Sequence, residues 1–321
     1  MIFEKKVVGA FRGMMHARVD DAGMTFYFSP SDFEGLRAFG YSFDSSLGHK
    51  LKGYFYCYDA PTPKRLVVFD HGFGAGHRAY MKEIELLCRR GYLVFSYDHT
   101  GCFESEGKDA GGLAQSLRDL CDCIGALKRE EALSGYSFSV MGHSWGAFSA
   151  MNIAAFHPDV THIVAISGFV SVEKIVGSFF GGIMKPYRRA VMRLERESNP
   201  ELCDVNAVLS LKNSGAKALL IYSDNDKLCR KSPHYDILKK ELSGCGNVKL
   251  LLTEGKGHNP NYTSDAVSYM AQFFAEQKKL LKRGLLKTEE EKKKLIEKYD
   301  WNRMTAQDEA VWAEIFAHLE S

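Results

Sequence analysis

A chain of 321 residues is long enough for one large domain with a generous core, and no break in composition forces two. With 45% hydrophobic and 26% charged residues it has an ordinary globular make-up, and a net charge of +2 offers no long-range field to gather nucleic acid or a membrane surface. The eight cysteines are scattered, and the close pair Cys121 and Cys123 forms a CxC that fits neither common zinc spacing, so reduced thiols and no metal are expected. The start, "MIFEKKVVGAFRGMM", lacks an uninterrupted apolar run, and nowhere is there an apolar stretch long enough to span a bilayer. A cytoplasmic protein without stable membrane anchoring is the expectation.

Residues 1–50 read as an N-terminal extension, in which the alternating aromatics of "VDDAGMTFYFSPSD" and "GYSFDSSLGHKLKGYFYCYD" suggest antiparallel strands leading into a sheet. From about residue 51, short runs rich in Val, Ile, Phe and Tyr alternate with segments of helical period. Strands are expected at 65–72, 92–98, 136–141, 162–167, 217–223 and 248–253. Helices are expected at 79–91, 112–132, 146–156, 234–242 and 264–281. That alternation implies an α/β fold, a mostly parallel central sheet flanked by helices on both faces, occupying 51–281. The stretch 168–212 is helical in pattern and interrupts the repeat, as a cap would. The tail 282–321 reads as a C-terminal helical extension. Thr288 and Glu291 make a capping box, and a helix from Thr305 aligns Val311, Trp312, Ile315, Phe316 and Leu319 on one face. That face needs a partner, either the main domain or a second copy in a homodimer, to which the cap could also contribute. The lysines of 278–294 alternate with glutamates, as on a solvated helix face.

The segment "SFSVMGHSWGAFSAMNIAAF" (137–156) runs a buried strand directly into a helix, with Ser144 at the joint. A serine hydroxyl becomes a useful nucleophile only when a base can take its proton during attack. A sharp strand-to-helix turn projects its middle side chain above the sheet but crowds its neighbours, and Gly142 and Gly146 supply small residues two positions to either side. The helix that follows aims N–H groups and its positive end at charge forming beside Ser144. A base and an acid should then follow at the ends of later strands, in the order serine, acid, histidine. Asp224 and Asp226 stand after the strand 217–223, and His258 stands in a glycine-flanked loop after 248–253. Asp226, farther along its loop, is the better placed to reach His258, while Asp224 is suited to capping the turn. Backbone donors for an oxyanion are expected from Trp145 and from Phe73 in "DHGFGAGHRAY"; the glycines of 72–76 match neither GxGxxG nor a GKS/T phosphate loop.

These segments together resemble the α/β-hydrolase family over about residues 45 to 281. The matching pieces, in that family's order, are "HGFGAG", "GYLVFSYDHTGCFESEG", "GHSWG", "LLIYSDND" and "GKGHNP". Within the family the chain is similar to the lysophospholipase, monoglyceride-lipase and serine-aminopeptidase-like group, whose loop after the second central strand is typically DxRGxGxS. Here that loop, Asp98 to Ser105, has Thr100 in place of the arginine and Phe103 in place of the second glycine. The resemblance implies a triad of Ser144, Asp226 and His258, backbone donors at Phe73 and Trp145, and a lid at 168–212. Serine at the nucleophile position argues against dehalogenase and epoxide-hydrolase chemistry.

Other candidates take supporting places. His143 should pack behind the serine, His71 should buttress the oxyanion loop, His157 and His162 lack metal-ligand spacing, and Cys102 reads as pocket lining. Phe179, Phe180, Ile183, Met184 and Tyr187 either line an apolar acyl pocket or form a packed face; Arg188, Arg189, Arg193 and Arg196 either meet an anionic group or face solvent. The resulting expectation is a cofactor-independent serine hydrolase acting on a small-molecule carboxylic ester of small or medium acyl chain. An aminopeptidase, amidase or acyltransferase using the same triad, and a non-catalytic binding protein on this fold, are the alternatives.

Overall fold

The computed structural model describes residues 3–59 and 64–321; residues 60–63, within the expected core, lie outside the described residues. Among the described residues, eight strands form one sheet. They are β1 (Arg37–Asp44), β2 (Lys50–Cys57), β3 (Arg65–Asp70), β4 (Leu93–Tyr97), β5 (Ser137–His143), β6 (His162–Ile166), β7 (Lys217–Ser223) and β8 (Val248–Thr253), in the order β1-β2-β4-β3-β5-β6-β7-β8. β1 pairs antiparallel with β2, and β2 antiparallel with β4; every later pairing is parallel. Central strands such as β3 are near-continuous apolar runs because helices cover both faces.

The helices are α1 (Glu4–Met15), α2 (Met81–Arg89), α3 (Gln115–Leu127), α4 (Trp145–Ile153), α5 (Val172–Phe179), α6 (Arg188–Ser198), α7 (Ala207–Lys212), α8 (Tyr235–Glu241), α9 (Ser264–Lys282), α10 (Glu289–Glu297), α11 (Trp301–Met304) and α12 (Glu309–Leu319). Alternate strand residues feed two cores, as the two-residue period of a strand requires. Leu66, Val68, Val140, Ile163 and Leu220 point toward α3 and α4, while Val67, Phe69, Met141, Val164 and Leu219 point toward α2 and α12. The α12 face that needed a partner finds it in its own chain. Val311, Trp312, Ile315 and Leu319 are buried beside Val164, Ile166, Leu219 and Ile221. Asp308, not Thr305, caps that helix, accepting from Val311 N. No helix among the described residues is long and apolar enough to cross a membrane.

The N-terminal region corrects the sequence expectation. Residues 4–15 form α1, whose two glycines weaken the helical signal; tertiary packing supplies what propensity lacks, through buried Phe11 and Met15. "VDDAGMTFYFSPSD" is not a strand. Phe26 and Phe28 pack edge to face, 4.9 Å between ring centroids, Phe26 lies against Trp301, and Pro30 opens a short 3-10 turn. The antiparallel pair is formed by the second stretch and the three residues before it, as β1 and β2.

Candidate active site

β5 ends at His143 and α4 begins at Trp145, leaving Ser144 alone at the joint with φ 55° and ψ −106°. A non-glycine residue persists in that strained region only when its surroundings hold it there. Ser144 N donates to Ile166 O at 2.8 Å, and Ser144 O accepts from Phe148 N at 3.1 Å. Neither flanking glycine has room for a side chain without a shift of backbone: a Cβ on Gly142 would lie 2.3 Å from Gly146 O, and one on Gly146 would lie 2.1 Å from Asp70 O.

His258 and Asp226 come together from the loops after β8 and β7. His258 Nδ1 donates to Asp226 Oδ2 at 2.7 Å, while Asp226 Oδ1 accepts from the backbone N–H groups of Leu228 (2.8 Å) and Cys229 (3.2 Å). Both carboxylate oxygens are therefore engaged, and the proton on Nδ1 leaves Nε2 as the acceptor nitrogen of the neutral ring. Three neighbours fasten the two loops to each other: Ser223 Oγ accepts from Lys256 N (3.0 Å), Asp224 Oδ1 from Gly255 N (2.9 Å) and Asn225 Oδ1 from Gly257 N (2.7 Å). Asp224 thus caps the turn and Asp226 meets the histidine.

Behind the serine a second network joins the Phe73 loop to the His258 loop. Gly72 N donates to Tyr80 Oη (3.0 Å), Tyr80 Oη lies 2.9 Å from His143 Nδ1, and His143 Nε2 donates to His258 O at 2.8 Å. Burial, reinforced by His258, pushes the His143 pKa down to about 3, so the ring stays neutral and can serve both bonds. His71 donates from Nδ1 to Gly72 O (2.9 Å) and accepts at Nε2 from His99 N (3.1 Å), and burial holds it likewise down to about 3. Tyr80 escaped the sequence reading because it sits in what looked like an ordinary amphipathic helix.

Deeper still, His99 lies 3.2 Å from both Asp70 and Asp119, with no exposure on any of the three. Burial alone would lower its pKa, but Asp70 and Asp119 outweigh it and hold the ring up to about 10. Its ring centroid is 4.7 Å from that of Trp145. The two departures in the Asp98–Ser105 loop have local explanations. Thr100 turns inward, its N and Oγ1 both donating to Asp119 at 2.8 Å, and Phe103 takes the left-handed φ of 44° that a glycine would adopt freely. A guanidinium still reaches this loop from elsewhere in the chain: Arg18 donates to the carbonyls of Phe103 (2.6 Å), Ser105 (3.0 Å) and Gly107 (2.9 Å).

Ser144, His258, Phe73 and Trp145 line one cavity of about 590 Å³ whose other walls are mainly apolar. Of the five side chains offered for an acyl pocket, Phe179 lines it, and Ile183, 91% exposed, does not. Phe180 does not, being turned inward against Phe11 at 5.8 Å between centroids, and Met184 and Tyr187 pack at the edge of the core away from the cavity. The turn at 182–187 breaks the helical register on which those residues would have shared a face. Arg188 is a staple, donating to Phe180 O and Gly177 O at 2.6 Å each, and Arg196 pairs with Asp204. Cys102 is fully buried and is not part of the lining, another correction; the loop turns it into the core. Sequence reasoning missed Met14, Met15, Leu113, Phe169, Ile175, Leu228, Cys229 and Arg230, which no motif marks.

Asp226, Cys229 and His258 bring potential ligand atoms within 4.8 Å of one another. Two of these groups are already joined by the Asp226–His258 hydrogen bond. Burial, followed by the Asp226 charge, pushes the Cys229 thiol pKa well up, which favours the protonated form that binds metal poorly.

Residues 61–244, more than half of the chain, match the Hydrolase_4 family, described as serine aminopeptidase S33. The chain belongs to this family. A monoglyceride lipase homolog of Monkeypox virus is 30% identical to this α/β-hydrolase over 128 residues, 38% of this chain and 46% of the viral protein. Monoglyceride lipase of Rattus norvegicus is 29% identical over 117 residues, 36% of each chain. The chain thus spans less than half the length of these curated relatives. An esterase of Pyrococcus furiosus superposes with a TM-score of 0.59 at 19% identity, covering 83% of this chain and 99% of its own. A putative dipeptidyl aminopeptidase IV from Bacteroides ovatus gives 0.53 at 16% identity, over 77% and 36%. At those identities the likeness is one of fold.

Proposed function

We propose that this α/β-hydrolase cleaves a carboxylic ester of small or medium acyl chain through an acyl-enzyme on Ser144. The observation that carries the reading is the Asp226–His258 hydrogen bond of 2.7 Å in a site where His258 and the strained Ser144 line the same apolar cavity. Ser144 Oγ attacks the ester carbonyl carbon and His258 Nε2 takes its proton. Asp226 holds the imidazole in the tautomer that this requires and stabilises the imidazolium. The backbone N–H groups of Trp145, free of an intrahelical partner by its place at the start of α4, and of Phe73 receive the oxyanion. The imidazolium then protonates the departing alkoxide, and a water deprotonated by His258 releases the acid. The segment 168–212 acts as the lid, supplying Ile175, Ser178 and Phe179 to the cavity.

Ester hydrolysis is favoured over aminopeptidase chemistry by the composition of the walls. Recognition of a free peptide amino terminus calls for a carboxylate near the scissile bond, and the described residues that line the cavity include none, whereas Leu113, Phe169, Ile175 and Phe179 suit an uncharged acyl chain. The test is turnover of p-nitrophenyl esters against aminoacyl p-nitroanilides. Ester kcat/KM well above anilide kcat/KM is expected; anilide turnover equal to or above the ester rate would overturn the assignment.

A further inference from the structure

We propose that helix α1 is a wall of the acyl-binding cavity and that Met14 and Met15 set the length of acyl chain the site accepts, favouring apolar chains of medium length. The proposal rests on the reading of Ser144 as the nucleophile. α1 lies before the family-matched residues 61–244, yet its last turn places both methionines on the cavity that holds Ser144 and His258.

The helix is built into the site. Phe11 is buried against Phe180 of the 168–212 segment. His16, which ends α1, has Nε2 2.8 Å from Glu195 Oε1 on α6, with both residues buried. Glu195 Oε2 accepts from Leu113 N at 2.8 Å, and Leu113, itself a lining residue, accepts at its carbonyl from Trp145 Nε1 at 2.7 Å. A continuous chain of polar contacts therefore runs from the end of α1 through α6 to the residue beside Ser144. The two methionines share the cavity with apolar groups that include Phe169, Ile175 and Phe179.

Met14 is 56% exposed while lining the cavity and so stands at its mouth; Met15 is 7% exposed and stands within. Unbranched, polarizable thioethers can shape themselves to a flexible apolar chain. A volume of about 590 Å³ falls within the range of pockets that enclose a small organic ligand. Each acyl methylene seated against such walls should raise kcat/KM about fourfold, and one left outside should add nothing.

The test compares kcat/KM for p-nitrophenyl acetate, butyrate, hexanoate, octanoate, decanoate and dodecanoate in wild type, Met14→Trp and Met15→Ala. Met14→Trp, which narrows the mouth at an exposed position, should lower the octanoate-to-acetate ratio about tenfold or more. Met15→Ala should move the optimum about two methylenes longer. Ratios within about twofold of wild type in both variants would overturn the proposal. Octanoate and dodecanoate affinities of the Ser144→Ala protein, measured by calorimetry with and without each methionine change, give the same comparison without turnover. No fluorophosphonate adduct at Ser144, together with acid affinities that follow the methionine changes, would remove the esterase reading and leave the α1 wall standing. An adduct with unmoved ratios would do the reverse.

Discussion

Gly146→Ala is the perturbation whose cost can be worked most directly from the structure. The new Cβ would sit 2.1 Å from Asp70 O, 2.5 Å from Asp70 C and 2.9 Å from His71 O, all backbone atoms at the end of β3 that cannot rotate away. Relief requires α4 to lift from β3 by about 1 Å. Overpacking of this kind costs about 3 kcal/mol, and the better helix propensity of alanine returns at most about 1. A net loss of about 2 kcal/mol in a chain of this length lowers Tm by about 3 °C. The activity loss should be larger in proportion, because Ser144 and the Trp145 N–H move with the helix start. A 1 Å misplacement at a reacting centre costs about 10²-fold. Gly9→Ala is the matched control: it lies within α1 with nothing near its added methyl, and should gain up to about 1 kcal/mol. Calorimetry and p-nitrophenyl butyrate turnover on the three proteins read both quantities. Wild-type Tm and kcat/KM in Gly146→Ala would refute the close-approach account of the turn.

Three further outcomes are expected. Asp226→Asn should reduce kcat about 10³–10⁴-fold in steady-state ester assays while far-ultraviolet circular dichroism stays unchanged, because the amide no longer selects the Nδ1–H tautomer of His258. Glu83 is fully buried, and burial raises its pKa from 4.5 to about 7. The folded state holds that proton more tightly than the unfolded chain does, so the contribution to stability is present below about pH 4.5 and is lost as pH rises through about 7. The unfolding free energy from urea titrations should fall over that window, by up to about 3 kcal/mol from this group, and Glu83→Gln should flatten the slope. Trp312→Ala, at 3% exposure between α12 and the sheet, should cost about 3–5 kcal/mol by urea titration while labelling of Ser144 persists below the transition.

Much of this architecture is legible in the sequence where local pattern and tertiary demand agree. β3, β4, β5 and β7 are apolar runs bounded by turn residues, and the Gly142–Gly146 spacing reports a steric requirement that the backbone of Asp70 and of Gly146 itself enforces. Asp226 and His258 are readable because each follows a strand end, where side chains can reach over the sheet edge. The sequence is silent where structure comes from long-range packing. α1 carries two glycines and becomes a helix through Phe11, Met15 and the His16–Glu195 contact, which spans 179 positions. Residues 19–32 alternate aromatics as a strand would, yet Phe26 and Phe28 serve as plugs against other rings. The pattern of residues 168–212 misleads in the same way, since the turn at 182–187 resets the helical phase and carries Met184 and Tyr187 off the face that Phe179 occupies.

The central claim is that Ser144 is a nucleophile activated by His258. Wild type and Ser144→Ala, each incubated with a fluorophosphonate and read by intact mass, test it most directly. The account predicts a single adduct on the wild type, absent from the mutant and lost from the wild type after prior reaction with a p-nitrophenyl carbamate. A folded wild type that takes no adduct, or an adduct that survives Ser144→Ala, would contradict it.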